Sequence, residues 1–169
     1  AAGGQGAPLV PPFHEAYFRA ANSNTVVLNI GGIANLTLLP GDPAIPLRGF
    51  DTGPGNCLLD EWIALHRQQA FDYNGEWAQS GSIVPAVLEA LMAEPYISRP
   101  SPKSTGREYF NLAWLQGVLE QAHANALPPA DVQATLLAYT VESVAVGIEQ
   151  AGIAPERLLV CGGGARNGR

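Results

Sequence analysis

The chain has 169 residues, about the size of one domain at roughly 100–200 residues each, with 47% hydrophobic and 14% charged. That balance supports a sizeable buried core and excludes a disordered chain. A formal net charge of −6, with only 9 scattered Lys and Arg, excludes a nucleic-acid surface, which needs a basic stripe.

The chain opens on Ala1-Ala2-Gly3-Gly4-Gln5-Gly6, with no initiator Met and without the basic region and apolar core of a secretory signal. A glycine-rich motif at the first residues predicts a chain cut from something longer. Thr25 to Ile30 is β-branched and predicts a buried strand. Gly31-Gly32-Ile33-Ala34 breaks it and Asn35 to Leu39 resumes, so the two strands form a hairpin. Pro40-Gly41-Asp42-Pro43 ends the hairpin with turn chemistry, and Leu47 to Asp51 predicts a third strand.

After a Gly-Pro-Gly turn a helix begins, with Asn56 as its N-cap and Asp60 and Glu61 where the helix dipole favours negative charge. Leu58, Leu59, Trp62, Ile63 and Leu65 form its apolar face. Ile83, Val84, Val87, Leu88, Leu91 and Met92 repeat at helical spacing, with Pro85 in the first turn. A polar loop over 95–108 precedes a third helix from Asn111 to Asn125. The longest helix is expected from Asp131, as N-cap, to Ala151, with Gly152 closing it. Its buried stripe reads Val132, Leu136, Val141, Val144, Ala145 and Ile148. Arg157 to Cys161 is a last short strand, and Gly162-Gly163-Gly164 opens a turn. The alternation of strands and helices predicts an α/β domain. No apolar run reaches the roughly 20 residues of a membrane-spanning helix.

Four glycine loops carry the chemistry: Gly3 to Pro8, Gly31 to Asn35, Asp51 to Asn56, and Gly162 to Asn167. Glycine lets backbone N–H groups approach an anion with no Cβ in the way. Several such turns at strand ends in one α/β domain favour a nucleotide or sugar-phosphate site. Asp51-Thr52-Gly53 is also the tripeptide of aspartic proteases, but those pair two copies on an all-β scaffold, and only one stands here. Lys103-Ser104-Thr105 imitates the tail of a P-loop, yet no glycine or strand precedes it. Lys103 and Arg107 are therefore expected on a solvated loop, with contact to an anionic or sugar group as the alternative. His14, His66 and His123 show no metal-ligand spacing, so surface or helix-face roles are expected and no metal site is assigned to this chain's side chains. Trp62, Trp77 and Trp114 read as core or interface aromatics. Cys57 and Cys161 are too few for a disulfide framework and are expected as reduced, packed thiols.

These loops in this order, with Lys103-Ser104-Thr105-Gly106-Arg107-Glu108-Tyr109-Phe110-Asn111 between the third and fourth, closely resemble anhydro-N-acetylmuramic acid kinase along nearly the whole chain. Asn29-Ile30-Gly31-Gly32-Ile33-Ala34-Asn35 and Phe50-Asp51-Thr52-Gly53-Pro54-Gly55-Asn56 are the most specific strings.

The resemblance implies an actin/hexokinase-like (ribonuclease H-like) ATPase domain, truncated at both ends. Residues 1–23 would end the sugar-side domain, and 24–169 would form an incomplete C-terminal domain with a helical insertion at about 75–127. It implies ATP and Mg²⁺ as cofactors, 1,6-anhydro-N-acetylmuramic acid as substrate, a cytoplasmic homodimer, and N-acetylmuramic acid 6-phosphate as product in peptidoglycan recycling. By that likeness Gly31, Gly32, Asn35, Gly162, Gly163, Gly164 and Asn167 bind the nucleotide. Gly4, Gln5, Gly6, Asp51, Gly53, Pro54, Gly55 and Asn56 would line the sugar side. The family's general base is an Asp just upstream of the Gly3 motif, which places it ahead of Ala1 and predicts an inactive isolated chain. Two other readings stay open: a non-catalytic nucleotide-binding or dimerisation module, and an actin-like kinase for a different sugar.

Overall fold

The computed structural model describes residues 10–168. A short helix the sequence pattern did not announce, α1 (Pro11–Phe18), leads into a hairpin of β1 (Thr25–Ile30) and β2 (Ile33–Leu39), followed by β3 (Arg48–Pro54). Helices α2 (Cys57–Arg67), α3 (Glu76–Gln79), α4 (Pro85–Met92), α5 (Pro95–Ser98), α6 (Leu112–Gln121) and α7 (Pro129–Ala151) follow, and β4 (Arg157–Cys161) ends the described order before a 3-10 turn at Gly163–Arg166. The strands form one mixed sheet, order β3-β2-β1-β4. β1, β2 and β3 pair antiparallel, whereas β4 lies parallel to β1.

The sheet is buried on both faces along β1 and β2, which explains the consecutive apolar residues Val26, Val27 and Leu28 of β1. Val26, Leu28, Leu36, Leu38 and Phe50 pack with Val144 and Ala151 of α7. On β2, Thr37 alternates with Leu36 and Leu38, and its Oγ1 meets His14 Nδ1 at 2.9 Å. A second core gathers Leu58, Ile63, Leu91, Phe110, Leu136 and Tyr139 among the helices. Helix α7 belongs to both cores and ties the helical layer to the sheet. Gly147 permits this approach: a methyl there would stand 2.6 Å from Thr52 Cγ2.

Several expectations are corrected. β2 begins at Ile33, and β3 runs on through Thr52, Gly53 and Pro54, because Ala34 and Ile33 continue as its ladder partners past a bulge at Ala34/Asn35. The third helix stops at Gln121, since His123 takes a φ of 52°. α7 starts at Pro129, with Asp131 inside its first turn accepting from Ser82 N at 2.8 Å rather than capping. α4 starts at Pro85, leaving Ile83 exposed. Helix α5 interrupts the expected 95–108 loop.

The α7 stripe also differs. Val141 and Ala145 are exposed, while Thr140, Ser143 and Gly147 face inward, because small side chains allow the close helix–sheet contact. Leu65 is exposed on α2, and Cys161 is exposed on β4, although Cys57 is packed as expected. His14 is buried against Thr37, whereas His66 and His123 are exposed. Trp62 and Trp77 are buried, in line with their core reading. Among the described residues no helix is long and apolar enough to cross a membrane.

Candidate functional site

Three of the four glycine loops meet at one end of the sheet, beyond the carboxyl ends of the parallel pair β1 and β4. In open α/β sheets this end is where ligands bind. The fourth, with Gly4, Gln5 and Gly6, lies outside the described residues.

The β1–β2 turn and the start of α2 are laced together. The Gly32 carbonyl accepts from Gly55 N at 2.9 Å and from Cys57 N at 3.0 Å, and the Gly31 carbonyl accepts from Asn56 N at 2.8 Å. These bonds satisfy donors that a helix start leaves unpaired. They require Gly55 to be a glycine, since a methyl there would stand 2.4 Å from the Gly31 oxygen. Asn56 makes no side-chain cap. Its Nδ2 donates to the Ile30 carbonyl at 3.2 Å, so the side chain fastens α2 to the end of β1 instead.

The β4 loop closes on the same point. Gly162 has a φ of 85°, a left-handed value that favours glycine, and a methyl on it would meet Asn29 Oδ1 and Ile30 O at 2.5 Å each. Gly164 is as tightly placed, against Ile30 Cγ2, and lies beside Asn56. The structure thus brings Gly31, Gly32, Gly55, Asn56, Gly162, Gly163 and Gly164 together around Ile30. Asn35 is the third residue of β2, opposite Asn29 and Asp51 in the sheet.

A cleft of about 720 Å³ opens between this junction and the loop over 71–74. Asn56, Asp60, Tyr73, Gly163, Gly164 and Asn167 are among its walls. Asp60 is half-buried, and burial raises its carboxyl pKa; Arg107 pulls it down and Glu61 pushes it up. Neither Asp60 nor Tyr73 belongs to a glycine motif, and pattern reading assigned neither to the site. Phe71 and Tyr73 are 59% and 73% exposed, and Tyr73 opens a 3-10 turn (Tyr73–Gly75), a placement that only the structure shows.

Asp51, Gly53 and Pro54 lie in β3 and are buried. The Asp51 carboxylate accepts from Ser104 Oγ at 2.9 Å and from Thr105 N at 3.0 Å. Burial raises its pKa, against the opposing pull of these two donors. Asp51 therefore anchors the 103–105 segment. Lys103 is not solvated: it is 1% exposed, and its Nζ donates to the Tyr96 and Ile97 carbonyls at 3.1 and 2.8 Å. The Tyr96 ring lies 5.0 Å away, and burial lowers the Lys103 pKa to about 8. The helix α5 carbonyls explain this inward turn, since they need donors that solvent cannot reach.

Among the described residues no group of three or more His, Cys, Asp or Glu could hold a metal ion. The glycine junction instead offers backbone geometry suited to an anionic ligand beside a roomy cleft.

Residues 1–169 match the family model described as anhydro-N-acetylmuramic acid kinase. The chain is 56% identical over 169 residues to a protein of Bordetella petrii bearing that name, covering 99% of the chain and 44% of the relative. It is 54% identical over 167 residues to a namesake in Pasteurella multocida, covering 98% and 43%, and 52% identical over 172 residues to one in Variovorax paradoxus, covering 99% and 45%. The chain thus spans less than half the length of these curated relatives.

Proposed function

The chain belongs to the anhydro-N-acetylmuramic acid kinase family, and from that premise we propose that it is part of an ATP-dependent kinase acting on 1,6-anhydro-N-acetylmuramic acid. The observation that carries the reading is the convergence of three glycine loops around Ile30 beside a cleft of nucleotide size. A meander of three strands with a fourth parallel to the first is compatible with an actin/hexokinase-like ATPase domain. In this reading residues 24–169 form its C-terminal domain, with helices α3 to α6 as the bulk of an insertion at about 75–127, and residues 1–23 end the sugar-side domain.

Gly31, Gly32 and Asn35 would receive the phosphates, and Gly162, Gly163, Gly164 and Asn167 the adenosine side. Gly53 to Asn56, with Gly4, Gln5 and Gly6, would face the sugar, and Asp51 would hold that wall from behind through Ser104 and Thr105. The residues present fit a nucleotide, because Gly163 lines the cleft with its Cβ position clear up to Asn56 Nδ2 at 3.7 Å, so its backbone can approach a ligand there. Mg²⁺ fits as an ion carried with the phosphates, since it commonly takes only one or two carboxylates from protein; the cleft supplies Asp60. When bound, it neutralises charge on the transferred phosphoryl group.

In the proposed reaction a base takes a proton from water as the water oxygen bonds to the anomeric carbon. The anomeric carbon–O6 bond breaks with its electron pair passing to O6, which bonds to the γ-phosphorus while ADP departs. The base is assigned to a carboxylate of the full-length protein, meaning the polypeptide of the relatives' length that carries this chain. We place that protein in the cytoplasm as a homodimer. Incubating it with ATP and the anhydro-sugar should yield ADP and the 6-phosphate in equal amounts, read by mass spectrometry. ATP hydrolysis without sugar phosphorylation would refute the reading.

A further inference from the structure

Arg107 is exposed, yet its guanidinium rests against the Gly31-Gly32 turn. A methyl placed on Gly32 would stand 2.7 Å from both Nε and Nη2 and 3.1 Å from Cζ. Only a glycine lets the cation lie so close to this backbone. The segment before it is held: Lys103 is bonded to the α5 carbonyls, and Ser104 and Thr105 are bonded to Asp51. Arg107 is thus delivered to the turn by an anchored stretch of chain.

An arginine brings five donors. Among the described residues, those of Arg107 make no hydrogen bond and no ion pair; Asp60 and Cys57 feel its charge only at longer range. The turn beside it is polarised in a matching way. The carbonyls of Gly31 and Gly32 point at α2 and are taken by Gly55, Asn56 and Cys57. The N–H groups of Gly31 and Gly32 donate to no turn or loop carbonyl among the described residues. Unspent donors on the backbone and unspent donors on a cation therefore lie side by side.

We propose that Arg107 is a phosphoryl-binding residue, its guanidinium gripping an oxyanion of the transferred phosphoryl group together with the Gly31-Gly32 N–H groups. This rests on the reading of that turn as the phosphate site. A planar guanidinium matches phosphate oxygens two at a time, and charge on the moving phosphoryl is spread over three such oxygens. Arg107 donates hydrogen bonds and keeps its protons; the phosphorus–oxygen bonds that form and break are those of O6 and ADP. The carboxylate of the muramic sugar is the competing anion.

The test uses the full-length protein and its Arg107→Ala and Arg107→Lys variants. Two measurements are made: steady-state kinetics, and the affinity for ADP with and without aluminium fluoride, a phosphoryl mimic. Expected is a loss in kcat of about 10³-fold for Arg107→Ala with both KM values within about threefold, in the range of arginines that serve phosphoryl transfer. Wild type should bind ADP with the fluoride at least about tenfold tighter than ADP alone, and the alanine variant should lose that gain. Lysine should recover little, as a point charge without the fork, and its retained charge and length carry the test if the alanine variant fails to fold. A kcat within threefold of wild type overturns the proposal. So does a raised sugar KM with unchanged kcat, which would assign Arg107 to the carboxylate. Wild type that lacks turnover but keeps a fluoride gain dependent on Arg107 refutes the sugar assignment and supports this residue's role. Wild type lacking both overturns the phosphate turn and Arg107 together.

Discussion

Lys103 offers a direct test of how the helical layer is held to the sheet. Its pKa stands at about 8 in the folded protein against an ordinary 10.5, because burial penalises the ammonium and Arg99 adds like charge. A folded pKa below the unfolded one means the unfolded chain binds more protons between about pH 8 and 10.5, so stability rises with pH across that window. Below it both states are protonated and the penalty is fully present; above it both are neutral and the penalty is gone. The full depression corresponds to on the order of 3 kcal/mol. The two carbonyl acceptors and the Tyr96 ring favour the charged form, so about 1–3 kcal/mol is expected.

Cys57 works in the opposite direction. Its pKa is raised to about 11, and its contribution is lost as pH climbs from 9.0. A comparison of wild type with Lys103→Met removes this background, since Cys57 is common to both. Methionine keeps the stem but removes the Nζ donor, leaving the Tyr96 carbonyl with Arg99 N at 3.2 Å and the Ile97 carbonyl with Gln150 Nε2 at 3.5 Å, at a cost of about 1–3 kcal/mol. Urea unfolding followed by the fluorescence of buried Trp62 and Trp77, at pH 7, 8, 9 and 10, should show wild type gaining on the variant as pH rises. A gap that is constant with pH, or that narrows, would refute a buried and penalised ammonium.

Gly55→Ala should destabilise the junction by about 1–3 kcal/mol, because its methyl meets backbone at the Gly31 oxygen, Ala34 N and Ile33 C. Gly163→Ala is the control, as its methyl would meet only Asn56 Nδ2 at 3.7 Å; equal thermal melting of the two variants would contradict the close approach. Asp51→Ala should free the segment that carries Arg107, read as faster hydrogen exchange at the Thr105 amide. Unchanged protection there would show that Asp51 is not its anchor.

Much of the scaffold was legible from local pattern. The β-branched run at 25–30, the resumed apolar run at 35–39 and the helical repeats around Leu58 and Val87 announce their elements within a few residues. Family membership was equally legible, because glycine strings such as Gly31-Gly32 and Gly53-Pro54-Gly55 stand contiguous in the chain. At Gly55 glycine is demanded by the backbone oxygen of Gly31, and at Gly32 by the Arg107 guanidinium, and such close approaches leave a direct mark on residue type.

Side chains acting over long sequence distances left no such mark. Lys103 looked like a solvated lysine because its acceptors, the α5 carbonyls, belong to a helix the local pattern did not reveal. Asn56 looked like an N-cap, but the Ile30 carbonyl 26 residues away takes its amide. Asp51 looked like a ligand group and turned out to face a partner 53 residues on. Residue type and periodicity record what each stretch buries, so strands, helices and the glycine loops could be read one segment at a time. Where Arg107 rests, and which loops meet at Ile30, depends on how β1, β4 and α2 pack. That is fixed only when all three elements are in place.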